Sequence, residues 1–536
     1  MSRESVVCNF LPVSGKTIFS RSLSRQLTVV ASILAIIVYV PTIVLAQTSN
    51  VAGDLGSASH GDRSRVENKS ARAIREHSTR AEAWVRLGTI RIQQKNYAEG
   101  IRCLKTALAL DPRSDSAHTR MGEAYVLIGK RAEARVQFYA ALRINRTDRN
   151  ARFGLAALES ANGNFSASLE VARPILDTFQ HSPGGLVVLA IDYDALGRTD
   201  SLLSLVIEWK QLAQVPADAT EAFATVLIKN GFNQQALEIL QAAEEEGQVS
   251  YGLAIALAKL YLSRGELDKA LVNYEGALTL QPQCLECLLH IANIAEQQKD
   301  PERALAYLIK ARHIEPENPQ VLFEFGKSCL ELDLADDGIA ALQKAANLRP
   351  ANDSYTYVLA SAHVAKKDYE AALTLFRILL KKNPDDPVVN YAIGSVLFLQ
   401  VRLDEASGFL QRSIDLRPDQ SAPYYYLGLI AEGKGQTEQA ITTLQDLVHR
   451  FTGYAPAYEA LGAIFLRQRR FVEAQQSLER AILLDPSSAK SHYQLGVLFG
   501  RLGKSQEADQ QFELVNELNA QEARRSGMKL HLINPQ

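Results

Sequence analysis

An all-α solenoid is the fold class this 536-residue sequence predicts, and three observations carry the prediction. A 34-residue pattern runs from Ala81 to Glu522 with no insertion or deletion, giving thirteen units that begin at Ala81, Asp115, Arg149, Pro183, Ala217, Tyr251, Leu285, Pro319, Asp353, Pro387, Ser421, Ala455 and Ala489. The eighth position of every unit is Gly or Ala, always preceded by a large apolar residue, as in Leu87-Gly88, Met121-Gly122, Phe325-Gly326 and Leu461-Gly462. Prolines return at one phase near the end of the unit, at Pro112, Pro282, Pro316, Pro350, Pro384, Pro418 and Pro486. A period of this length means one small helical unit stacked on copies of itself.

Each element of the unit follows from these positions. A side chain no larger than methyl lets two helices approach closely, and the apolar knob before it fills the groove between them, so the first helix faces a shared core there. A second small site recurs twelve residues later, as Gly100, Ala134, Ser168, Ala236 and Ala270, with Leu202 the one exception; it marks a second helix. Proline lacks an N–H and has a fixed φ, so at its recurring phase it ends the second helix and starts the next unit. Each period is therefore helix, turn, helix, turn.

The pattern W-x-x-L-G at Trp84, Leu87 and Gly88, followed by Tyr97, Ala107 and Pro112, resembles the tetratricopeptide repeat (TPR). The resemblance covers 81–522. It implies a right-handed superhelix of antiparallel helix pairs whose first helices line a concave surface. It also implies a protein that binds protein or peptide segments rather than transforming substrates.

Ahead of the repeats lies the apolar run Leu27 to Ala46, preceded by Arg3, Lys16, Arg21 and Arg25. It is long enough to span a bilayer, and the basic residues before it would stay cytoplasmic. Residues 1–46 thus read as a signal peptide, cleaved after Val44-Leu45-Ala46, or as an uncleaved membrane anchor. Either way the remainder is exported, to the periplasm or the extracellular space, and any membrane contact is confined to residues 27–46. Residues 47–80 read as a flexible spacer, with a capping helix over Arg65–His77 where Val66, Ala73 and Ile74 take apolar phases. Residues 523–536 form a tail with no full amphipathic cap, so the last interface is open, covered by an extended second helix, or used for contact.

Losing residues 1–46 removes four basic residues and Glu4, taking the formal charge from −2 to −5. A mildly acidic chain without a basic stripe argues against nucleic acid. No cofactor or metal site is expected. Gly503-Lys504-Ser505 ends like a phosphate loop, but the glycine required upstream is Leu498; Gly15-Lys16-Thr17 fails in the same way at Phe10. There is neither H-E-x-x-H nor G-x-S-x-G, and no stretch is left over for a catalytic domain, so no catalytic role is expected. Cys284 and Cys287 open a helix at a unit boundary; they are either small residues at a turn or, in an oxidising compartment, a disulfide. Cys103 and Cys329 take packing positions.

Specificity must lie where the units differ. The fifth position, which the family turns toward the concave side, reads Phe323, Tyr357, Tyr391, Tyr425, then Glu459 and Tyr493. The twelfth position adds Leu330, Val364 and Phe398, further along the same helices. These residues form an aromatic ladder for an extended guest, or they pack on their neighbours. Helices about 10 Å apart would present one aromatic for every three residues of a peptide rising about 3.3 Å each. Lys259, Asn293 and Lys327 at the ninth position make the earlier groove polar. They do not reproduce the family's carboxylate clamp. The expected function is an exported scaffold in cell-envelope assembly; the alternative is a carbohydrate-handling component of a polysaccharide secretion system, which exported TPR proteins also resemble. The oligomeric state is left open.

Residues 149–250 depart most from the pattern. Pro174 falls inside a second helix, Pro183-Gly184-Gly185 opens a unit, and Trp209 replaces a small residue. A bulky indole at a close-approach site spreads a helix pair, so a bend or softer joint is expected near residues 170–216.

Overall fold

The computed structural model describes residues 80–533, with side chains up to Gln521. The candidate signal or anchor segment and the capping helix lie outside the described residues. The chain divides into two compact units, one ending at Cys287 and the other running from Leu288 to the C-terminus.

The 34-residue period becomes helix pairs in register with the sequence. First helices open at Ala81, Asp115, Arg149 and every 34 residues onward to Ala489, and each spans 13 residues, as in Ala81–Gln93 and Ala489–Arg501. Second helices such as Tyr97–Leu110, Tyr369–Lys382 and Phe471–Leu484 span 14 residues. Several first helices are capped at their starts by side chains that accept the otherwise orphaned N–H groups: Ser114 from Ala117, Asn318 from Val321, Asp386 from Val388 and Val389, and Ser488 from Ser491.

Each first helix ends in a left-handed residue at the fifteenth position. Glycine fills it at Gly129, Gly163, Gly197, Gly231, Gly265, Gly435 and Gly503; Lys95, Lys299, Asp333, Lys367, Val401 and Arg469 adopt the same positive φ without being glycine. The backbone there closes two bonds onto the helix, as where Val401 N–H donates to Phe398 O and Arg402 N–H to Leu397 O, both at 2.9 Å. This stops one helix and aims the next.

The small eighth position has a direct cause. A Cβ on Gly326, Gly394, Gly428 or Gly462 would lie 2.6 to 2.7 Å from Leu342, Leu410, Leu444 or Leu478 of the paired second helix. Those leucines are themselves fully buried. Within residues 288–533 the core is a run of such pairs, including Leu359, Phe376, Ile393 and Leu410.

Between Arg149 and Lys229 the packing changes. Helix Phe165–Ala172 gives way to a 3-10 turn, Arg173–Ile175, where Pro174 removes a donor, and a short helix Leu176–Gln180 follows. Phe179 is fully buried against Phe153 at 4.4 Å, and its carbonyl lies where a Cβ on Gly185 would stand. Helix Thr199–Trp209 has only 11 residues, and Trp209 stacks on Phe223 at 4.2 Å. In regular units a second helix packs on the following first helix. Here Leu202 and Trp209 occupy the small sites; helix Thr199–Trp209 meets the following first helix through the Trp209–Phe223 stack, and first helix Pro183–Ala195 packs along first helix Ala217–Lys229.

Cys284 and Cys287 form a disulfide with Cα atoms 5.3 Å apart. Cys284 Sγ also accepts the Cys287 N–H at 3.0 Å, the capping task that serine or asparagine performs elsewhere, and Tyr251 Oη lies 3.1 Å from it. At the other end the last second helix, Ser505–Ile533, continues through most of the segment read as a tail.

Candidate functional site

The expected groove residues fall on successive first helices, and the structure separates those that line a surface from those that build the core. In the unit from Leu288 onward, Phe323 is half-buried and stacks on Tyr355 at 4.5 Å. Tyr357 is half-buried, edge-on to Phe376 at 5.3 Å. Tyr425 packs between Tyr426 and Tyr454, each at 5.7 Å, and Phe398 meets Tyr426 edge-on at 5.2 Å. Leu330 is half-buried beside the core. Tyr493 is 54% exposed, with Phe512 at its side.

Two rungs of the ladder are corrected. Val364 is 1% exposed and Tyr391 is 8% exposed, so neither offers a free face to a guest. Tyr391 is covered because Tyr426, from the following first helix, packs against it at 5.9 Å. Position within one helix gives a direction; burial depends on what the next unit places there.

The result is a tyrosine cluster rather than an even ladder. Burial, with Asp386 nearby, pushes the Tyr357 hydroxyl up to about 12. Burial also pushes Tyr454 up to about 12 and raises Tyr391, Tyr425 and Tyr426 further above the ordinary phenol range. All five hydroxyls stay protonated at physiological pH, able to donate as well as accept. Tyr454 Oη is buried with no hydrogen-bond partner. The sequence reading missed Tyr426 and Tyr454; the run Tyr424-Tyr425-Tyr426 was the available signal, since adjacent helix positions point to different faces.

The polar residues at the ninth position are each occupied. Lys327 pairs with Glu324 at 2.8 Å and Glu296 at 3.4 Å, and Ser328 donates to Glu296 at 3.0 Å. Burial pulls the Lys327 ammonium down, but the two carboxylates more than offset it and hold it above the ordinary lysine value. Burial raises Glu296 despite the facing lysine. Asn293 accepts from Gln297 at 2.7 Å. In the other unit, Lys259 pairs with Glu286 at 2.8 Å. A guest reaching Lys327 must exchange existing ion pairs for its own.

Among the described residues no group of His, Cys, Asp and Glu is arranged to hold a metal ion, and no helix is long and apolar enough to cross a membrane. Glu459, which interrupts the aromatic series, accepts from Ser488 and Ser491 at 3.1 Å each and pairs with Lys490.

Helix pairs repeating in a 34-residue register, with glycine or alanine at each close approach, define a protein of the helical-repeat scaffold class. Tetratricopeptide repeat profiles match residues 81–114, 221–283, 261–322, 357–423, 424–453 and 459–515, together more than half of the chain. The chain belongs to the tetratricopeptide repeat family, whose fold serves protein–protein interaction. Among curated proteins it is 23% identical over 271 residues to BBSome complex member BBS4 of Bos taurus, covering 50% of this chain and 52% of that protein. It is 24% identical over 238 residues to the mitochondrial import receptor subunit TOM70 of Mus musculus, covering 42% and 38%. It is also 24% identical over 220 residues to the protein O-mannosyl-transferase TMTC1 of Homo sapiens, covering 40% and 24%. The matches thus span about half or less of these relatives. Among solved structures, the APC/C hetero-tetramer Cut9-Hcn1 aligns over 84% of this chain and 96% of that one, at TM-score 0.37 and 12% identity. A tetratricopeptide repeat protein from Parabacteroides merdae aligns over 46% and 98%, at TM-score 0.43 and 16% identity.

Proposed function

We propose that this chain is an exported, non-catalytic scaffold that holds an extended segment of a protein partner along the first helices between Pro319 and Arg501. The observation that carries the proposal is the series of half-buried or exposed apolar side chains at matching phases, Phe323, Leu330, Tyr357, Phe398, Tyr425 and Tyr493. Aromatic rings held by packing on one side have lost most of their rotamer freedom, so a guest that covers the other side gains apolar contact with little further ordering. The tyrosine hydroxyls add donors for a peptide backbone. Export rests on the apolar run Leu27 to Ala46 and its basic flank; cell-envelope assembly is the setting it suggests.

The test is affinity purification of the exported form with mass spectrometry, repeated with Tyr493→Ala and Phe398→Ala. One protein recovered with the unaltered chain and lost by about tenfold with the double variant, while circular dichroism is unchanged, supports the proposal. Undiminished recovery overturns the groove assignment. A glycan array run with the same proteins separates the carbohydrate-handling reading: binding there that depends on Tyr357 and Tyr425, without a protein partner, replaces the scaffold.

A further inference from the structure

The tenth position of each unit is a core position, filled by Leu158 and Val226 on either side of helix Pro183–Ala195 and by comparable residues elsewhere. Two units break this rule. In one, Ser328 answers its burial by donating to Glu296. In the other stands Asp192, 0% exposed.

Asp192 has no such answer. Its Oδ1 and Oδ2 make no hydrogen bond of good geometry, and their only polar company is Ser160 Oγ and Ser168 Oγ, which face it from helices Arg149–Ala161 and Phe165–Ala172 and have no other partner. Four buried oxygens with only one another for company are unusual, because two hydroxyls of poor hydrogen-bond geometry replace little of the hydration that the carboxyl loses on folding. An ionised carboxylate suffers most, whereas a protonated one becomes a donor and removes the uncompensated charge.

We propose that Asp192 is a proton-operated latch for the helix packing between residues 149 and 229: protonated, it sits in the interior against Ser160 and Ser168; ionised, it drives that packing to open locally.

No nearby cation spares Asp192 from this choice. From helix Arg149–Ala161 the buried acid is Glu159, already held by Arg135 at 2.6 Å and by Asn164 at 2.8 Å; Arg149 of the same helix lies toward Asp177 of helix Leu176–Gln180, 3.8 Å away. From helix Phe165–Ala172 the acid is Glu170, and from the 3-10 turn the base is Arg173, both exposed. Helix Thr199–Trp209 carries Asp200 and Glu208, and helix Ala217–Lys229 carries Asp218, Glu221 and Lys229, the last paired with Asp194 at 2.6 Å. On its own helix the neighbour is Tyr193, a phenol that burial raises. Burial pushes the Asp192 carboxyl up to about 7, the two serine hydroxyls hold it down, and none of these charges contributes.

The sign follows from the direction. The folded chain binds the proton more tightly than the unfolded chain, whose aspartate has the ordinary value of 3.8. The contribution to stability is complete below that value, is lost as pH rises from about 4 through about 7, and is level above.

Hydrogen exchange followed by mass spectrometry on the full chain tests this. After correction for intrinsic exchange, protection over 149–209 should fall with rising pH, by at most about tenfold per pH unit between pH 5 and 7, while protection over 353–450 holds. Asp192→Asn should remove the pH dependence. Asp192→Leu, which places the Leu158 side chain at the same phase, should also be flat and should exceed the unaltered chain in protection at pH 8. Equal pH profiles for the unaltered chain and either variant overturn the latch. Failure of Asp192→Leu to fold overturns it as well, because the carboxyl would then be a requirement of the fold rather than a switch within it.

Discussion

Residues 149–229 and residues 319–484 come from the same 34-residue template and solve the same packing problem differently. In the later region a glycine or alanine at each close approach lets a leucine of the second helix lie directly on the first helix, and second helices pack on the following first helices. In the earlier region Leu202 and Trp209 fill the small sites, Pro174 breaks a helix, and adjacent first helices take over most of the contact beside the Trp209–Phe223 stack. A repeat thus tolerates bulk at its close-approach sites when a neighbouring helix face accepts the displaced packing. The accommodation leaves a buried carboxyl, Asp192, that residues 319–484 have no counterpart for.

The largest expected effect contrasts two fully buried phenylalanines. Phe376→Ala, in the regular region, should destabilise its surroundings by about 4 kcal/mol, since a rigid site keeps its cavity. Phe179→Ala, equally buried, should lie nearer about 3 kcal/mol because a less regular site collapses more fully. Urea unfolding read by peptide-resolved hydrogen exchange measures both; a larger loss for Phe179 would reverse the contrast.

A middle effect comes from the close approach itself. Gly462→Ala places a Cβ 2.6 Å from Leu478 Cγ, and should cost about 2 kcal/mol through overpacking. Gly276→Ala, mid-helix with open space around its Cβ, should be neutral or stabilising. Equal effects on the urea midpoint would mean that close packing does not explain the small eighth position.

The smallest effect concerns the turns. Val401, a β-branched residue at φ 64°, holds the left-handed site that glycine fills in several other units. Val401→Gly should stabilise by about 1 kcal/mol at most, visible as a small rise in the melting temperature; a fall would show that the valine side chain, 62% exposed, makes contacts that outweigh its backbone strain.

Much of the fold was legible because it is written locally. The helix starts at Ala81 through Ala489 were readable from phase alone, and the left-handed turns could be read wherever glycine holds them. The same turns at Lys95, Lys299 and Val401 could not, because nothing in those side chains announces a positive φ. The candidate site was legible by direction and not by depth. Phe323, Tyr357 and Tyr425 were placed on a partly open face, whereas Tyr391 and Val364 were buried by neighbours that a single helix does not specify.

The amino-acid sequence by itself determined the repeat, its length, and where each first helix begins, since periodic small residues, caps and prolines act within one unit or between adjacent turns of chain. Only the tertiary structure decided which aromatics are exposed, which ion pairs occupy Lys327, that Cys284 and Cys287 are joined, and that Asp192 faces two serines with no charge to meet it. Those outcomes depend on side chains from helices about 30 residues apart in sequence being packed together, and burial, hydrogen bonding and ionisation are properties of that shared environment rather than of any one segment.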